Sequence, residues 1–329
     1  MHSRLLFAIA LVAACAPAAE LVSVRKIWDQ APHSAFGDII RFRGEWFAVF
    51  REGKQHVATG KVLEDDGKLR VIASKNGDEW RSMALVEEAG VDLRDPHLSI
   101  TADGRLMIVA GGSIYRNAEF GGRQPRVTLS KDGVHFTAPA KVLESSHWLW
   151  RVTWFRGKAW GVTKFGTAVE RKDYPRQQAL VTSDDGLHWK QVVELKVPGG
   201  DETTVRFLKD GTMVALMRRE VDDRQAWIGH AKAPYTEWKW SPAGHRIGGP
   251  NFIVLPGGKM WAGGRYYTPE GNKTMVAPMT LAGYQPEIVL PSNGDSSYPG
   301  FVWHEGLLWT LYYSSHEGKA SIYLAKIKP

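Results

Sequence analysis

Residues 204–217 read TVRFLKDGTMVALM, two apolar runs hinged on Asp210-Gly211. β-branched and apolar residues suit a pleated strand, and Asp-Gly supplies a tight reversal, so this stretch reads as a β-hairpin. Outward from it the pattern returns five more times: DIIRFRGEWFAVF (38–50), PHLSITADGRLMIVA (96–110), RVTWFRGKAWGVT (151–163), NFIVLPGGKMWAGG (251–264) and GFVWHEGLLWTLYY (300–313). The turn glycines Gly44, Gly104, Gly157, Gly211, Gly258 and Gly306 are spaced by 60, 53, 54, 47 and 48 residues. That period suits one four-stranded blade per repeat. A lone hairpin is marginal in water, so the six must share a core. The expected fold is all-β: a six-bladed β-propeller with four-stranded antiparallel blades. A pair of β-sandwiches would not require so regular a period.

A second motif follows the turn glycine by about thirty residues in the first three repeats: SKNGDEW (74–80), SKDGVHF (130–136) and SDDGLHW (183–189). Asn or Asp beside Gly makes the turn between outer strands, and the aromatic returns into the blade. Residues 21–28 (LVSVRKIW) and 320–328 (ASIYLAKIK) both read as strands. Pairing them in one blade joins the chain ends and removes an open edge.

Fourteen Trp, thirty-four Gly and a hydrophobic share of 43% fit a folded protein with many turns, not a disordered chain. Residues 1–4 carry a basic start, 5–14 form a short apolar run, and CAPAA (15–19) adds small residues. Residues 1–19 therefore read as an export signal, too short in its apolar part to span a bilayer, followed by a single propeller domain over 20–329. Two processing routes fit the run: lipid attachment at Cys15, giving an anchored protein, or plain cleavage near Ala18 or Ala19. The expected location is periplasmic or extracellular. Cys15 is the single cysteine, so the mature chain has no internal disulfide and no thiol nucleophile. The net charge of +7 is scattered, which argues against nucleic-acid binding and fits a basic surface that attracts anionic glycans. The eleven His residues show no metal-ligand spacing, and no cofactor motif is present. Asn272-Lys273-Thr274 matches a glycosylation acceptor and reads as a loop.

In a propeller the heads of the first strands and the ends of the second strands gather at one mouth of the channel. The repeat places Asp38, Asp95, Arg151, Glu202, Asn251 and Tyr298 at the heads, and Arg51, Lys164, Arg218, Arg219, Arg265 and His316 at the ends. Such a concentration of ionisable groups costs desolvation and is tolerated where a charged ligand repays it, although a water-filled channel lined by compensating ion pairs would show the same composition.

The turns at 74–80, 130–136 and 183–189 resemble the Asp boxes of sialidase-type propellers. DETTV (201–205), with DGT (210–212) and Met217-Arg218, is similar to the sialidase stretch that sets a catalytic Glu at one strand head and a substrate-binding Arg at the end of the next strand. SYPG (297–300), leading into VWHEG (302–306) and LYY (311–313), is similar to the stretch holding the sialidase nucleophilic Tyr. The resemblance spans nearly the whole mature chain at the level of blades, and it implies Tyr298 as nucleophile and Glu202 as its base. Asp95 or Asp38 would serve as proton donor, and Arg218, Arg265, Arg51 and Arg151 would bind a substrate carboxylate, with Asn251 beside them. A phenol suits this chemistry because a carboxylate nucleophile would be repelled by a sugar that carries its own carboxylate on the anomeric carbon. One departure stands out: Phe36-Gly37-Asp38-Ile39 occupies the place of the family's Arg-Ile-Pro stretch, so the first Arg of the usual triad is missing.

The implied activity is retaining exo-cleavage of a terminal sialic acid or related acidic sugar. Two alternatives stay open: another glycoside hydrolase or a polysaccharide lyase acting on an acidic glycan, and a non-catalytic glycan-binding propeller.

Overall fold

The computed structural model describes residues 18–57, 67–116, 119–166 and 177–329, and these are all β-strand, turn or irregular chain. The segment 1–19 that reads as an export signal, with Cys15, lies outside the described residues apart from its last two positions. Strands from Glu20 to Lys328 form six antiparallel sheets. The innermost strands are His33–Phe42, Asp92–Ile100, Trp148–Phe155, Gly200–Phe207, Gly248–Val254 and Ser296–His304, defining blades 1 to 6 in that order. Each contacts the next around the ring, and the sixth closes on the first.

All six hairpins read from the sequence form the two inner strands of a blade. Closure also follows the expected route: Glu20–Trp28 pairs antiparallel with Ser321–Lys328 and supplies the outer strand of blade 6. Blade 5 has an extra short strand, Ile288–Leu290, on its third strand. That third strand, Gly271–Thr280, contains Asn272-Lys273-Thr274, so the acceptor-like triplet lies in a sheet rather than in a loop. Its short polar residues follow Gly271 directly and mask the strand in the sequence.

Apolar layers between blades bury the large side chains. Trp46 of blade 1 stacks on Trp309 of blade 6 with ring centroids 4.1 Å apart. The three outer turns share one wiring. Ser74, Ser130 and Ser183 accept the N–H of Gly77, Gly133 and Gly186 at 2.8, 2.8 and 2.9 Å. Asn76, Asp132 and Asp185 each accept two further N–H groups through Oδ1. The turns then dock on the preceding blade: a methyl group at position 133 would sit 2.3 Å from Phe47 of blade 1.

These bonds, not surface charge, carry the turn. Asp185 accepts from Leu187 N and His188 N at 2.8 Å each, whereas its neighbour Asp184 only pairs with exposed Lys158. Asp185→Ala therefore lowers stability by about 1–2 kcal/mol, and Asp184→Ala leaves it within about 0.5 kcal/mol, as exposed pairs do. Urea unfolding of the two variants beside the parent protein measures the difference.

Candidate active site

Every innermost strand loses register with its neighbour at the same level, between Ala35 and Asp38, Arg94 and His97, Leu149 and Val152, Gly200 and Thr203, Gly248 and Asn251, and Ser297 and Gly300. The two-residue bulges are Phe36-Gly37, Asp95-Pro96, Trp150-Arg151, Asp201-Glu202, Gly249-Pro250 and Tyr298-Pro299. Bulges re-aim side chains, and a proline is tolerated there because no ladder bond is lost. In the four blades where the second bulge residue is Pro or Gly, the first is left-handed: Phe36, Asp95, Gly249 and Tyr298 have φ of 58°, 50°, 58° and 56°. For Phe, Asp and Tyr this backbone is strained and must be held by its surroundings.

What holds Tyr298 is a buried carboxylate. Its hydroxyl donates to Glu202 Oε1 at 3.0 Å. Glu202 Oε2 accepts from Arg218 Nη1 and from Gly249 N, both at 2.8 Å. The Tyr298 ring packs against Phe36, Trp150 and Tyr313 at centroid distances of 5.3, 5.6 and 6.0 Å, and the Arg265 guanidinium lies 5.4 Å from its centre. Gly249 approaches that ring so closely that a Cβ would fall 2.6 Å from it. Arg265 is itself fixed by Ser296 O at 3.0 Å and the Tyr313 hydroxyl at 3.1 Å.

Electrostatics divides the labour among these groups. Burial, the largest influence, pushes the Glu202 carboxyl up, but Arg218 and Lys164 together hold the group below its usual value, so Glu202 is ionised. Burial, reinforced by Glu202, raises the Tyr298 phenol well above its ordinary range. Asp95 behaves oppositely to Glu202: burial raises its carboxyl to about 6, against the pull of Arg94. Its Oδ1 is buried with no hydrogen-bond partner among the described residues. Two carboxyls pushed apart in this way are the arrangement acid–base chemistry uses.

Glu202, Tyr298, Arg218, Arg265 and Asp95 thus share one site, and Lys164, which pairs with Asp201, borders it. Four other expectations need correction. Asp38 Oδ2 is taken by Leu98 N at 2.9 Å and Arg151 Nη1 at 2.7 Å, and Arg151 Nη2 is taken by Pro299 O at 3.0 Å. Asn251 bridges Pro299 O at 2.9 Å and Arg206 at 2.9 Å. Asp38 and Asn251 stand one residue past their bulges, so these side chains form a polar layer of protein–protein bonds rather than ligand contacts. Arg51 is wholly buried and committed to Asp92 at 2.7 Å. Of the remaining strand ends, Arg219 bonds Pro198 O and His316 bonds Ser314.

The sequence reading missed Arg94, which lies 5.0 Å from the Phe36 ring and contacts Asp92 and Asp95 at 3.7 and 3.9 Å. Its place directly before the Asp95-Pro96 bulge was the available signal. It also missed Glu220, which links Arg218 at 2.5 Å to Arg246 at 3.2 Å. Arg246, which competes with Arg265 in the sequence for the third Arg of the triad, stacks 3.8 Å from the Tyr267 ring.

No family model and no curated protein matches this sequence. Solved structures do match its fold. A protein of unknown function from Dyadobacter fermentans superposes with a TM-score of 0.80 at 19% identity, over 95% of this chain and all of that one. Trypanosoma rangeli sialidase, in complex with the inhibitor DANA, gives 0.69 at 11% identity over 95% of this chain, which spans 60% of the sialidase. The α-L-arabinofuranosidase Arb93a of Fusarium graminearum, in complex with an iminosugar inhibitor, gives 0.69 at 12% identity over 94% of this chain and 98% of that one. The six-bladed propeller is therefore a fold that this chain shares with these structures.

The raised Asp95 carboxyl has a measurable consequence. The folded chain holds this proton up to about pH 6, whereas an unperturbed carboxyl releases it near 3.8, so between those values the folded state binds more protons and stability falls as pH rises. Asp95→Asn, which keeps shape and tolerates the left-handed backbone, relieves that cost. The variant is more stable at pH 7 by on the order of 2–3 kcal/mol, and the gain vanishes below about pH 4. Denaturation at the two pH values checks both halves.

Proposed function

We propose that the protein is a retaining exo-glycosidase acting on a terminal sialic acid or a related acidic sugar. The observation that carries the reading is the 3.0 Å bond from the Tyr298 hydroxyl to an ionised Glu202. A buried phenol is a poor nucleophile until a base removes its proton, and Glu202 is placed to do so as the oxygen attacks. Tyr298 Oη bonds to the anomeric carbon while its proton passes to Glu202. Asp95, protonated below about pH 6, gives its proton to the departing oxygen. Water then attacks the glycosyl–tyrosine, Asp95 takes the water's proton, and Glu202 returns the first proton to the phenolate. Two displacements retain the anomeric configuration.

The acidic sugar is favoured by the cations around Tyr298. Arg218 and Arg265 act on its electrostatics directly, and Arg94 joins them from blade 2; guanidiniums are the planar donors that suit a substrate carboxylate. Sialidases and an arabinofuranosidase among proteins of similar fold agree with glycoside chemistry without fixing the sugar.

A screen of aryl glycosides, including the aryl sialoside, tests the reading. Tyr298→Phe and Glu202→Gln each lower kcat by about a hundredfold or more. Asp95→Asn loses the fall in rate above about pH 6 and retains far more activity on a nitrophenyl leaving group than on an alkyl one. Equal turnover by the parent, Tyr298→Phe and Glu202→Gln contradicts the assignment. An unsaturated, ultraviolet-absorbing product would instead indicate a lyase, and saturable binding without turnover a glycan-binding module.

A further inference from the structure

At the rim of the site three side chains from distant parts of the chain converge on one point. Asp295 Oδ2 lies 2.8 Å from His33 Nε2 and 2.7 Å from His56 Nδ1. All three atoms lie within 4.8 Å of one another. His33 opens the innermost strand of blade 1, His56 follows the second strand of that blade, and Asp295 directly precedes the innermost strand of blade 6. The ligands are separated by up to 262 residues, which is why spacing along the chain carried no metal motif.

We propose that His33, His56 and Asp295 form a binding site for a divalent transition-metal ion of the zinc class. Two imidazole nitrogens and one carboxylate oxygen are the donors such ions prefer over the oxygen-only sets of calcium or magnesium. The geometry is close to what coordination needs. Ligands about 2.1 Å from a tetrahedral ion stand about 3.4 Å apart, so the carboxylate–imidazole spacings of 2.8 and 2.7 Å must open by about two thirds of an ångström. The carboxylate has its second-shell partner: Asp295 Oδ1 accepts from the Tyr313 hydroxyl at 2.8 Å, which fixes it and leaves Oδ2 for the ion. His56 is half exposed, giving an entry path and a fourth position open to water or to a ligand oxygen. The site adjoins the proposed catalytic pair without overlapping it. Phe36 separates them, 5.0 Å from the His56 ring and 5.3 Å from Tyr298. Through Tyr313 and Arg265 a bound ion would also hold one wall of the sugar site in place.

Cobalt(II) titration of the untagged protein, followed by its visible d–d absorption, tests this independently of any glycosidase activity. One equivalent binds and is displaced by zinc, and His56→Ala and Asp295→Asn each bind at least about tenfold more weakly. His56→Ala removes a half-exposed side chain and is expected to fold, which circular dichroism verifies. Absence of a spectral change in the parent protein at millimolar cobalt, or equal affinity in parent and both variants, overturns the proposal. Either result leaves the Tyr298–Glu202 reading untouched.

Discussion

Glu202 is one carboxylate held from three blades: its own strand presents it, Arg218 follows on the next strand of blade 4, Gly249 of blade 5 gives a backbone N–H, and Tyr298 of blade 6 gives its hydroxyl. Burying a charge so deeply is costly, and such a pair is weak evidence for stability. Its effect is on position and ionisation. Arg218 keeps the carboxylate charged, the carboxylate fixes the phenol, and the phenol's left-handed backbone is tolerated because the ring is packed on several sides.

Beneath this upper layer lies a second one. Asp38, Arg151, Asn251 and Arg206 exchange hydrogen bonds across blades 1, 3, 4, 5 and 6, meeting at Pro299 O and so bracing the bulge that carries Tyr298. Removing these bonds would release the blades against one another at the level where the reactive groups are set. The mouth and the layer below it are chemically alike, both rich in Arg and carboxylate. The lower one is bonded mostly within itself, and at the mouth Asp95 Oδ1 has no partner among the described residues.

The blades were legible because each repeats a local event, apolar strands reversed at a glycine turn, and because the period is regular. Glu202, Tyr298 and Arg218 were legible because strand heads and strand ends meet at one mouth. The strand-head rule failed by one residue at Asp38 and Asn251, since it did not allow for a bulge in every innermost strand. The X-Pro pairs Asp95-Pro96, Gly249-Pro250 and Tyr298-Pro299 mark that bulge in three blades, and Arg94 sits beside one of them. Arg51 was misread for another reason. A strand end that carries a cation looks the same in sequence whether it faces a ligand or, as here, a wholly buried Asp92. His33, His56 and Asp295 left no local trace, because only ring closure brings blade 6 against blade 1.

The proposed reaction requires Tyr298 to form a covalent bond to the sugar. Its most direct test is to trap that species with a fluorinated analogue of whichever glycoside turns over and to locate it by peptide mass spectrometry. One sugar adduct is expected, on the peptide containing Tyr298, and none in Tyr298→Phe. An adduct on a carboxylate, or a product released with inverted configuration, would contradict it.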